Sequence, residues 1–115
     1  MQRFMLLIRG GDEAFQYFTP DQFQQAMQRY YDWAAQLRRE GRLQGADELK
    51  NGGQVVRVRD GEVIVDGPYS ETKESVGGYF LIEARDEAEA TEVAKGCPAL
   101  LHGGLVEVRE INENP

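Results

Sequence analysis

The densest chemistry in this sequence lies in Asp66–Glu74 (DGPYSETKE). Pro68 fixes its own φ and disfavours helix at Gly67, and Gly67 tolerates backbone angles closed to other residues. The Gly-Pro corner therefore places Asp66 at a strand end, just before a sharp bend. Tyr69 brings a ring that can pack and a hydroxyl it can present. Glu71, Lys73 and Glu74 add charge close by. Such a loop can anchor a polar ligand through Tyr69 and Lys73, or hold Asp66 as an acid/base carboxylate. The plainer alternative is a well-built turn whose Asp caps local backbone N–H groups.

A second group lies near the C-terminus. Glu107 and Arg109 are two apart on an alternating segment and so share a strand face. Joined by Tyr79, they supply an anion-binding guanidinium, a carboxylate and a phenolic donor. With Asp66 as base, that set suits a small polar or anionic metabolite, and proton transfer is the simplest chemistry for it. If the face is covered, the charged pair must be hydrogen-bonded or wet, because an unpaired buried charge is expensive. The sole histidine, His102, sits in a helix-to-strand connection with no carboxylate adjacent in sequence, which favours an exposed loop role over catalysis. Cys97 reads as buried apolar filler. One Cys and one His exclude an intrachain disulfide and a zinc site within one chain. With so few soft ligands, no intrinsic metal or organic cofactor is expected; Ca²⁺ or Mg²⁺ held by oxygen ligands is the alternative left open, without a D-x-D-x-D-G loop to carry it. Gly10-Gly11 and Gly77-Gly78 match no phosphate-loop pattern and read as a turn and a strand distortion.

These groups need elements to position them. Arg3–Arg9 (RFMLLIR) is a short apolar run that reads as a buried strand. Thr19, Pro20 and Gln22 form a capping pattern that opens a helix over 20–40. Phe23, Met27, Tyr30, Ala34 and Leu37 lie along one face of it, with Tyr31 and Trp33 flanking. Gly41–Lys50 is a weaker strand. Gln54–Arg59 and Glu62–Asp66 flank Asp60-Gly61, a strong hairpin signal. Val76–Glu83 is an apolar strand. Asp86 caps a second helix over 87–95, with Glu89 in the D-x-x-E position, and Leu105–Ile111 alternates as a last strand. This order predicts an α+β, ferredoxin-like split β-α-β fold: an antiparallel sheet with two helices on one face, in a single domain over residues 1–115.

The chain has 115 residues and a net charge of −7, which disfavours phosphate attraction and argues against a nucleic-acid or anionic-membrane binder. No apolar run nears the roughly 20 residues that span a bilayer, and Met1–Gly10, without a long apolar stretch or a small-residue cleavage site, is not expected to be a signal peptide. A cytoplasmic location is expected.

Alternation assigns Phe4, Leu6, Ile8, Phe80, Ile82, Val106 and Val108 to the face under the helices. Met5, Leu7, Tyr79, Leu81 and Leu105 then fall on the opposite face, which two helices on the first cannot cover. An open apolar face of this size predicts a homodimer with sheets packed face to face. Glu107, Arg109 and Asp66 are expected to line the space left between them.

Asp66-Gly67-Pro68-Tyr69 with Glu71-Thr72-Lys73-Glu74 resembles the D-G-P-F-x-E-T-K-E motif of the YCII-related (DGPF-domain) proteins. The resemblance continues through Gly77-Gly78-Tyr79-Phe80-Leu81-Ile82 to Val106-Glu107-Val108-Arg109, nearly the whole chain. Tyr69 stands where the family usually has Phe, which adds a hydroxyl to the aromatic role. The resemblance implies a ferredoxin-like fold that pairs into a dimeric α/β barrel. It implies no reaction. The His–Asp pair proposed as an active site in some members has no match here, because His102 lies near the last strand. Family members are often encoded beside extracytoplasmic-function sigma factors, so analogy offers a non-catalytic accessory module linked to sigma-factor regulation as the alternative to a ligand-binding or acid/base site.

Overall fold

The structure, a computed structural model, describes residues 1–67 and 76–113, with the side chains of Asp12 and Glu13 left aside. The elements are β1 (Gln2–Arg9), α1 (Asp12–Phe15), α2 (Pro20–Arg39), β2 (Leu43–Glu48), β3 (Val55–Arg59), β4 (Glu62–Asp66), β5 (Val76–Ala84), α3 (Glu87–Ala94), a 3-10 turn (Pro98–His102) and β6 (Leu105–Glu110). Four strands form an antiparallel sheet in the order β2-β5-β1-β6, consistent with a ferredoxin-like α+β fold. β3 and β4 pair only with each other, as a separate two-stranded sheet.

The helix signals are realised. The Thr19 hydroxyl accepts from the Gln22 N–H, and the Gln22 side chain accepts from the Thr19 N–H, closing a reciprocal cap on α2. The Asp86 carboxylate accepts from the Glu89 N–H. Glu89 itself turns to Arg42 (2.7 Å) and to Arg85 (3.0 Å), so its carboxylate ties α3 to the start of β2.

The two longer helices, α2 and α3, pack on one sheet face. Phe4, Leu6, Ile8, Phe80, Ile82 and Ala84 meet Trp33 and Leu37 of α2 and Ala90 and Ala94 of α3 in a single core, with Val106 and Val108 at its margin. Phe4, Leu6 and Ile82 are fully buried. Each such side chain contributes about 1.5–3 kcal/mol. Cys97 joins this core, and burial pushes its thiol up to about 11. The packed stripe of α2 is rotated from the expected one. Ala26, Trp33 and Leu37 are buried, whereas Phe23 is 46% exposed. The reason is the Trp33 ring, which lies 4.6 Å from Phe80 and draws its own flank of the helix onto the sheet.

The Asp60-Gly61 turn joins β3 and β4 with both residues in the left-handed region, at φ 52° and 79°, as a tight two-residue hairpin requires. Gly77 is the extra residue of a bulge: Ile8 faces Gly78, but Arg9 faces Val76. Gly78 carries no side chain because a Cβ there would meet the Asp47 carbonyl oxygen at 3.0 Å, where β2 presses against β5.

Candidate functional site

The sheet face away from the helices is built in rows by strand register. Asp47 faces Tyr79, Tyr79 faces Leu7, and Leu7 faces Glu107, so one row crosses all four strands. The next row runs Gly45, Leu81, Met5, Arg109. Met5, Leu7, Tyr79, Leu81 and Glu107 are each only half-buried.

The polar groups of these rows are paired. The Tyr79 hydroxyl donates to Asp47 Oδ2 at 2.6 Å. Arg109 Nη1 donates to Glu107 Oε2 at 3.1 Å, and Arg9 Nε donates to Glu107 Oε1, also at 3.1 Å. Glu107 is thus clamped between guanidiniums from both sides, as a charged pair on a half-covered face requires. Arg9 and Asp47 complete the constellation and were not among the expected site residues. Their signal was in the sequence, because counting alternation along Leu43–Glu48 and Arg3–Arg9 puts both on this face.

Asp66 is not part of the constellation, contrary to its expected place beside Glu107 and Arg109. It closes β4 in the hairpin sheet, where its carboxylate takes Arg57 Nε at 3.0 Å. The cause is topological, since β4 adds to β3 and never to the four-stranded sheet. Tyr69 and Lys73 lie outside the described residues.

A second concavity opens on the helical side. A cavity of about 320 Å³ lies between α2 and the ends of β1, β2 and β5. Met27, Tyr30, Tyr31 and Ala34 form its helix wall, Phe80 and Gly78 its floor, and Arg38 and Glu48 its exposed rim. It exists because α2 turns the Trp33 flank to the core and leaves the β2–β5 corner uncovered, over glycines that have nothing to fill it with. Its volume is at the lower end for small-molecule sites. His102 is on the wall and not on an exposed loop. Its ring is 5.3 Å from Phe18 and 5.6 Å from Phe15, and its Nε2 is enclosed without a hydrogen-bond partner among the described residues.

A protein-family comparison matches the YCII-related domain over residues 2–114. The chain belongs to that family. No curated protein matches it significantly.

The charges of this YCII-related domain favour holding over proton transfer. Arg109 and Arg9 keep the Glu107 carboxyl below the usual range, which makes it a weak base. The Asp47 hydrogen bond keeps the Tyr79 phenol above its usual range, so it stays protonated as a donor. Arg109 is 67% exposed beside Glu107 and can reach an anion. Among the described residues, no three His, Cys, Asp or Glu side chains group to hold a metal ion. None of the described helices is long and apolar enough to cross a membrane.

Proposed function

We propose that the chain is a cytoplasmic homodimer that binds a small molecule, its open sheet faces packed together as a dimeric α/β barrel. The observation that carries the binding role is the cavity beneath α2, whose aromatic walls and charged rim suit a flat, largely apolar molecule with an anionic end at Arg38. Trp33, the only tryptophan, packs on the Phe80 that floors the cavity, so its fluorescence reports occupancy. Titration with 1-naphthoate should give a saturable change in Trp33 emission. Ala34→Met, which fills the cavity, should remove that change, and Arg38→Gln should weaken binding about 3–10-fold, as loss of an exposed charge-assisted contact does. No saturable signal, or a signal indifferent to Ala34→Met, refutes this seat.

The exposed Arg109, on the same sheet face as Tyr79, favours a second seat, between the sheets. In that reading Arg109 holds the anionic group of a polar metabolite, Tyr79 binds beside it, and Glu107 orients Arg109. Tyr69 and Lys73 serve as further contacts. Isothermal titration with a small dicarboxylate tests it. Arg109→Gln should abolish binding and leave the folded dimer intact. Dissociation or unfolding of that variant, without a ligand effect, assigns Arg109 a structural role.

A further inference from the structure

The β3–β4 hairpin sorts its side chains by face. Val56 opposes Val65 and Val58 opposes Val63, which puts four valines on one side. Arg57, Arg59, Glu62 and Asp66 fall on the other side together with the half-buried Val55 and Ile64, and there Arg57 and Asp66 form an ion pair. The valines are 58–70% exposed. A charge-free patch of four opposed β-branched residues reaches about a few hundred Å², the size of the largest patch on a typical soluble monomer, which often serves an interaction. An isolated two-stranded ribbon is also marginal in water unless something packs on it.

The molecule's dimensions show that, among the described residues, no other element lies over the ribbon. The chain measures 49 × 45 × 18 Å, with a radius of gyration of 16.2 Å. A compact chain of this length would have about 13 Å. The short axis is a sheet plus one helical layer, so the hairpin extends sideways and does not fold back.

We propose that the β3–β4 hairpin is an arm that packs its valine face on a second copy of this chain. The proposal rests on the homodimer reading and adds a contact to it. A second copy is the fitting occupant because the same chain leaves another apolar surface open, the Met5–Leu7–Leu81 face. A stable interface takes about 800 Å² from each partner, more than the ribbon supplies alone. Two-fold pairing covers ribbon and sheet face together, twice over. The valine face also carries no charge, so two chains of net charge −7 can meet there without opposing carboxylates.

Sedimentation velocity across a concentration series tests the arm in three proteins: wild type, Leu81→Lys, and Val58→Lys with Val63→Glu. The last pair stays directly opposed with complementary charges, which preserves the hairpin while spoiling its apolar face. Trp33 emission and circular dichroism confirm that the core is intact. Wild type should be dimeric, and both variants should raise the dimer dissociation constant at least tenfold. In wild type, amide exchange over 55–66 should slow as protein concentration rises. If wild type is a monomer, the dimer reading falls and the arm with it. If Leu81→Lys dissociates the dimer but the hairpin variant does not, and exchange over 55–66 ignores concentration, the arm alone is refuted.

Discussion

Phe4, Leu6 and Ile82 are fully buried on one face of the sheet, while Met5, Leu7 and Leu81, their neighbours in sequence, are half-buried on the other. Both sets are apolar, and both sit on central strands β1 and β5. What differs is the cover. Trp33, Leu37, Ala90 and Ala94 close the first face, whereas the second carries the Asp47–Tyr79 and Arg9–Glu107–Arg109 pairings and no helix. Hydrophobicity alone therefore does not separate the two faces; the packed helices bury one, and the other keeps its polar groups paired among themselves at its margins.

The sharpest way to break this comparison is one deletion on each face. Phe4→Ala should cost about 3–5 kcal/mol in urea unfolding, independent of protein concentration. Leu7→Ala should cost less than about 1.5 kcal/mol in dilute protein, because its side chain is only half-buried, and the loss should grow with concentration. Equal, concentration-independent losses would mean that the two faces are equivalent. A smaller effect concerns the cover itself. Thr19→Ala removes the reciprocal cap of α2 and should lower stability by about 1 kcal/mol.

The ionic contributions should be smallest, and they have a defined sign. Arg42 and the Arg85 N–H hold Glu89 below the ordinary carboxyl range, and Arg109 and Arg9 do the same for Glu107. A carboxyl depressed by folding stabilises fully above its unfolded pKa, about 4.3, and that contribution fades as pH falls through the folded value. Urea midpoints should therefore drop in acid. Glu89→Gln should flatten that slope more than Glu107→Gln, since Glu89 is 16% exposed and Glu107 is 35%. The reverse order would place the stronger clamp on the open face.

Much of the framework was legible because it is written locally. Thr19-Pro20-Asp21-Gln22 names a helix start, Asp60-Gly61 names a hairpin, and strict alternation in Arg3–Arg9 assigns both sheet faces. The candidate sites were less legible because they are tertiary. The Phe23–Met27–Tyr30 stripe looked as apolar as the Trp33 flank, and only packing on Phe80 decided between them and left a cavity behind. His102 shows no carboxylate in sequence, and its enclosure by Phe15 and Phe18 comes from residues more than 80 positions away. Asp66 ends a strand and Glu107 lines one, but strand membership does not say which sheet a strand joins.

The Asp60-Gly61 turn has one more consequence. Side chains on a ribbon follow parity: even positions 56 and 58 share a side with odd positions 63 and 65 only because two residues separate the strands. A single insertion or deletion in the turn would reverse the parity of one strand against the other, so that Arg57 or Ile64 would rise among the valines and the two sides would become chemically alike. The left-handed geometry of two residues is thus the part of the chain that keeps the ribbon two-sided.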